Sequence, residues 1–122
     1  PGKNYQVGEV NPYLRIIEPE ISVIGRKVVA KFKLEQVTSN EVYRISLFAH
    51  SHIDVSNKLN IVNRTEELNR SITDGEAFEL SINLEDYTST LVPGKSYYFR
   101  IGAQSHGSET KYNYSASVQL DI

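Results

Sequence analysis

At 122 residues the chain suits one domain, long enough to bury roughly two-thirds of its unfolded surface without covalent staples. With 39% hydrophobic and 23% charged residues it has a globular balance, and no run approaches the ~18 apolar residues of a membrane span. Thirteen Lys+Arg against 15 Asp+Glu give a net charge of −2 with no basic cluster, which leaves no electrostatic footprint for nucleic acid. Zero Cys removes disulfides, thiolate catalysis and Cys-ligated zinc together, although it fixes no compartment. The chain opens at Pro1 and holds no Met, the expected form of a piece processed or excised from a longer protein.

Residues 1–11 are polar, contain two Gly and one Pro, and show no period of two or of 3.6; they read as a flexible linker ahead of a domain spanning 12–122. Tyr13 to Ile17 forms a short first strand, broken at Pro19 and resumed by Ile21 and Val23 up to Gly25. From Lys27 to Glu35, Val28, Ala30, Phe32 and Leu34 alternate with Val29, Lys31, Lys33 and Glu35, so the first set faces a core. Thr38-Ser39-Asn40 supplies turn chemistry. The next strand puts Tyr43, Ile45, Leu47, Ala49 and, if it runs on, Ile53 inside, with Arg44, Ser46, Phe48, His50, His52 and Asp54 on the other face.

Leu59 and Ile61 suffice for a short edge strand over Asn57–Val62, and the polar stretch from Asn63 to Ala77, closed by Asp74-Gly75, reads as a long loop with room for one helical turn. Phe78, Leu80, Ile82 and Leu84 then alternate strictly with polar residues, giving the most regular strand of the chain. After a turn at 104–108, one last strand places Tyr112, Tyr114, Ala116, Val118, Leu120 and Ile122 on a single face. The total is about seven strands with no helical crossovers, which makes the fold class an all-β, two-sheet antiparallel sandwich.

Between the last two of these strands, Leu91-Val92-Pro93-Gly94 leads into Lys95-Ser96-Tyr97-Tyr98-Phe99-Arg100-Ile101, a Pro-Gly turn that launches a strand with Tyr97, Phe99 and Ile101 on one face. The spacing Leu-x-Pro-Gly-x-x-Tyr-x-Phe-x-Ile resembles the E–F connection and F strand of a fibronectin type III domain, within the immunoglobulin-like sandwiches. The resemblance covers roughly 21–122 and is specific from Gly75 onward. It implies that Leu91, Pro93, Gly94 and Tyr97 form a structural corner, the Tyr97 hydroxyl tying back to backbone near Leu91 or Pro93. Phe32 stands where the family usually has a core Trp. Gly75, Phe78 and the Leu-x-Pro-Gly-x-x-Tyr-Tyr-Phe-Arg-Ile run are most similar to modules of bacterial cell-surface lipoproteins and polysaccharide-handling proteins, with Gly75 and Phe78 one residue wider apart than in that pattern. Arg-Gly-Asp does not occur.

His50-x-His52-x-Asp54 would bring three metal-ligand types to one face of a strand, but that face is the solvent side, a fourth ligand is lacking nearby, and nothing in sequence orients the imidazoles; a polar strand face running into a loop explains it, and no metal or cofactor is assigned. No Gly-x-Ser-x-Gly, phosphate loop or dinucleotide fingerprint is present, and His106 beside Ser105 and Ser108 reads as an ordinary turn. Glu66-Glu67 and Glu85-Asp86 lie in polar stretches without the deep cleft a carboxylate pair would need. Asn63, Asn69 and Asn113 begin N-glycosylation triplets, which matter only in a eukaryotic secretory protein.

The outer face of the sheet built from the third, F and last strands would display Phe48, His50, Tyr98 and Arg100 among Ser46, Asn113, Ser115 and Gln119. Aromatics set beside hydrogen-bonding groups suit a sugar or a protein. The resemblance implies a non-catalytic extracellular or cell-surface module, on the bacterial outer surface or in the periplasm. There it would space or present neighbouring domains of a longer parent, or bind carbohydrate or protein directly through that face.

Overall fold

The clean alternation of Val28, Ala30, Phe32 and Leu34 makes strand β2 (Lys27–Gln36) and buries all four side chains. β2 is the middle of a three-stranded sheet, paired antiparallel to β1 (Leu14–Ile24) on one side and to β5 (Glu76–Asn83) on the other. The second sheet has β4 (Val62–Arg70) at one edge, then β3 (Val42–His50) and β6 (Ser96–Ser105). Two short pieces, β7 (Asn113–Tyr114) and β8 (Val118–Asp121), pair in succession with the far side of β6. A single 3-10 turn, Leu84–Tyr87, follows β5 and is started by Asn83, whose side chain accepts from the Glu85 N–H. The structure, a computed structural model, describes residues 14–36, 40–106 and 112–122. The 1–11 linker, Tyr13 of the expected first strand, and parts of the turns expected at 38–40 and 104–108 lie outside the described residues.

Between the two sheets, Ile45, Leu47, Ala49, Phe99, Ile101 and Ala103 of the larger one meet Val28, Phe32, Leu34, Leu80 and Ile82 of the smaller, forming one hydrophobic core. Each of the larger side chains among them contributes about 1.5–3 kcal/mol on leaving water. The result is an antiparallel β-sandwich.

Several local expectations change, each for a backbone reason. The first strand does not break at Pro19: β1 runs through it on a bulge between Ile17 and Glu20, with Glu18 at φ 51°. The bulge reconciles Leu14 and Ile16 with Ile21 and Val23, which have opposite parity yet all pack on the core. In β3 a register shift between Val42 and Arg44 brings Val42 into the core and turns Tyr43 out of it. Ile53 is exposed, because β3 ends at His50 and residues 51–54 curl away.

The edge strand expected at 57–62 is a loop closed by reciprocal Ser56 and Leu59 backbone bonds, while the polar stretch after it forms β4. As an edge strand, β4 needs few apolar residues, and only Val62 and Leu68 from it reach the core. The last strand divides at 115–117, where the Ser115 N–H donates to the Ile101 carbonyl and its Oγ accepts from the Ile101 N–H. Its two halves consequently have opposite phases. Val118 and Leu120 lie opposite Phe99 and Tyr97 and pack on the core, but Tyr114 lies opposite Gly102 on the outer face.

At the Pro93-Gly94 turn the Lys95 N–H donates to the Val92 carbonyl, and Gly94 takes φ 88°, a conformation open to glycine at that turn position. Leu91 is fully buried. The Tyr97 ring is buried and its hydroxyl accepts from the Val92 N–H at 3.0 Å.

Candidate functional site

The outer face of the larger sheet is where aromatic and polar side chains gather. Phe48 belongs to this face by strand phase, yet only 1% of it is exposed, so it is not displayed as expected. It is covered because Tyr112 and Tyr114 come over from the adjacent strand. Their rings lie 5.7 Å apart with planes 22° from parallel, and stand at 80° and 59° to the Phe48 ring. Gly102 makes this possible: a Cβ there would fall 2.8 Å from Phe48 Cε2, 3.1 Å from Tyr112 Cδ2 and 3.2 Å from Tyr114 Cε1. The rings occupy the space a side chain would have taken.

Two guanidinium groups flank the tyrosines. Arg100 lies over the Tyr114 ring at 4.7 Å and donates to the Ser115 and Val55 carbonyls, which fastens the 51–61 loop to the sheet. The Tyr114 hydroxyl helps by accepting from the Asn57 N–H. Arg44 lies over both Tyr43 (4.9 Å) and Tyr112 (5.5 Å), its Nε donating to Gln104 Oε1. Beyond Arg44, the His106 ring packs tilted against Tyr43, their centroids 4.6 Å apart, and its Nε2–H donates to Asn69 Oδ1 at 2.7 Å. Towards β4, Ser46 bonds Thr65, and Tyr43 Oη donates to Glu67.

Tyr112 and Tyr114 keep part of their surface in solvent. A ring face of this kind accepts the C–H face of another molecule, while Asn63, Thr65 and Glu67 of β4 supply hydrogen-bonding groups alongside. Of the residues singled out in the sequence, Phe48 and Arg100 form the support of this surface. His50 and Tyr98, paired across β3 and β6, lie at its other end, both half-buried. The reading of Tyr112 and Tyr114 as core residues hid the site. The available signal was Gly102, the one residue without a side chain on the outward phase of the F strand.

The His50, His52 and Asp54 trio does not share one face, since the strand ends at His50. The Nδ1 atoms of His50 and His52 accept from the backbone N–H two residues on, and among the described residues no cluster of three His, Cys, Asp or Glu is placed to hold a metal. Glu85 and Asp86 are exposed in the first turn after β5. On the smaller sheet an open groove is lined by Lys31, Lys33, Phe78 and Glu18, but Lys33 and Glu18 satisfy each other at 3.1 Å.

The model of the family described as a domain of unknown function, DUF3823_C, matches residues 14–119. The chain belongs to the DUF3823_C family. Among solved structures, this DUF3823_C domain is similar to a "putative carbohydrate binding protein" of Bacteroides uniformis, with 28% identity and a TM-score of 0.86 over 98% of this chain and 61% of that one. DUF3823 family proteins of Parabacteroides merdae (22% identity, TM-score 0.78, 98% and 58% covered) and Bacteroides ovatus (18%, 0.75, 97% and 60%) share the fold. The chain thus spans about three-fifths of the length of these proteins. No curated protein matches it. No helix among the described residues is long and apolar enough to cross a membrane.

Proposed function

We propose that this DUF3823_C domain is a non-catalytic carbohydrate-binding module that works outside the bacterial cytoplasm, at the cell surface or in the periplasm. Its binding surface is the outer face of the β4-β3-β6-β7 sheet, centred on Tyr112 and Tyr114. The observation that carries this reading is the tyrosine pair seated on Gly102: two rings held in fixed relation by Phe48 and flanked by Arg44 and Arg100. Rigid aromatic surface beside hydrogen-bonding side chains recognises a sugar with little entropy left to lose. The description of the Bacteroides uniformis neighbour supports the same class of ligand. A fibronectin type III-like identity for the sandwich is supported by the strand orders and by the Tyr97 to Val92 bond.

A second role accompanies the first. The neighbours carry two-fifths of their length beyond the part matched here, which supports a module that also positions an adjoining domain of a longer parent. Glycan binding followed by calorimetry or on an array tests the proposal. Saturable binding to the intact domain should fall at least about tenfold in Tyr114→Ala, the loss expected when an anchoring ring is removed. Binding unaffected by both Tyr112→Ala and Tyr114→Ala would rule out this face.

A further inference from the structure

We infer that the saccharide recognised here carries a carboxylate, and that Arg44 is the residue that reads it. This inference rests on the carbohydrate reading above and narrows it to acidic sugars of the uronate or sialate kind. Arg44 projects from β3 onto the outer face beside the tyrosine pair. Its guanidinium is held over Tyr43 and Tyr112, and its Nε is fixed by Gln104 Oε1 at 2.9 Å. The opposite edge, with the two terminal nitrogens, is the edge that forms paired parallel bonds to a carboxylate.

Among the described residues no carboxylate is within ion-pair range of Arg44, although Arg15 and Arg70 both have one. Glu67, its cross-strand neighbour, accepts from the Tyr43 hydroxyl. Arg100, the other guanidinium of the face, is already committed to the Ser115 and Val55 carbonyls. A guanidinium that is stacked, held at Nε and without an ion-pair partner is pre-organised, so a ligand carboxylate has little ordering to impose on it. The neighbourhood also limits the charge of the ligand. Among the described residues of this face, one available guanidinium with the Glu67 carboxylate nearby suits a singly charged planar group better than a sulfate cluster or a phosphate.

The test is an array of hexuronate-containing, sialylated, sulfated and neutral oligosaccharides probed with the intact domain, followed by titration of the best acidic glycan and its carboxyl-reduced counterpart. Carboxyl reduction should weaken binding about tenfold or more, the loss of a charge-assisted pair, and the preference should shrink as salt rises. Arg44→Gln should abolish that preference, so that the acidic glycan and its carboxyl-reduced counterpart bind alike. Arg44→Lys, which keeps the charge and loses the fork, should fall between them. Glu67→Gln should strengthen acidic binding a few-fold by removing a like charge.

Equal binding of acidic and reduced glycans, a preference for sulfated ones, or a preference that survives Arg44→Gln overturns the inference and leaves the carbohydrate reading standing. Binding to no glycan at all overturns both.

Discussion

The outer faces of the two sheets differ although their strands alternate in the same way. On the smaller sheet, Lys31 and Lys33 of β2 and Glu79 of β5 stand in solvent. On the larger, Phe48 and Ser46 occupy the equivalent outward phase and are buried at 1% and 0% exposure. The difference is a third layer: Tyr112 and Tyr114 close over Phe48 because Gly102 leaves room, whereas nothing from the described chain crosses the lysines of β2. Strand phase alone decides which sheet face a residue joins; burial on that face depends on what lies above it.

The largest expected effect sharpens this contrast. Phe48→Ala should cost about 3–5 kcal/mol in urea unfolding, as for a core phenylalanine, while Lys31→Ala stays within about 0.5 kcal/mol. If Phe48→Ala were as mild as Lys31→Ala, the tyrosine layer would not be closed in solution. Gly102→Ala tests the same layer from below: displacing rings from a Cβ placed 2.8 Å from Phe48 should cost about 1–3 kcal/mol and weaken glycan binding together. A Gly102→Ala variant with unchanged stability and binding would show that the rings do not rest there.

The adjacent tyrosines of β6 offer a finer comparison across one strand. Tyr97→Phe removes the acceptor of the Val92 N–H and should cost about 1–3 kcal/mol, the penalty of an orphaned polar group. Tyr98→Phe, on the outer face, should stay within about 0.5 kcal/mol. A larger loss for Tyr98→Phe would contradict the side on which each ring lies.

How much of this could be read beforehand follows the same division. The inward sets of β2, β5 and β6 were legible because Val28 to Leu34, Leu80 to Leu84 and Tyr97 to Ala103 each keep one parity throughout. The sequence misled wherever parity changes inside an element. Leu14 and Ile16 against Ile21 and Val23, Val42 against Ile45, and Tyr114 against Val118 each need one irregular stretch to share a sandwich, and period-two reading has no means of placing it. β4 was missed for a different reason. An edge strand wet on one side keeps little alternation, and Asn63, Arg64, Glu66 and Glu67 look like loop. The proposed binding face was only partly legible: Phe48 and Arg100 lie on the outward phase expected of them but support the tyrosines there, and Tyr112 and Tyr114, which form its surface, were assigned to the core.

The smallest expected effect concerns the junction between the sheets. Residues 71–75 carry the chain from β4 of one sheet to β5 of the other, and Arg70 and Glu76 brace the crossing with paired contacts at 3.2 and 2.6 Å. Glu76 also accepts from the Thr73 N–H. The Arg70 hydrogen bonds, followed by the Thr73 bond, hold the Glu76 carboxyl below the ordinary carboxylate value. Between the folded and unfolded values the unfolded chain therefore binds more protons. The contribution is fully present above the unfolded carboxylate value and is lost as pH falls through the folded one. Arg70 is shifted upward by the same bond, but it titrates too far above working pH to matter there. Because the pair sits at the surface, the effect should be small and should fade with salt. The urea midpoint of the intact domain should drop on acidification more than that of Glu76→Gln, whose curve should be flatter on the acid side and equal below it. Parallel curves would mean that the brace adds nothing in solution and that backbone bonds alone, such as Gly75 N–H to the Leu34 carbonyl, fix the crossing.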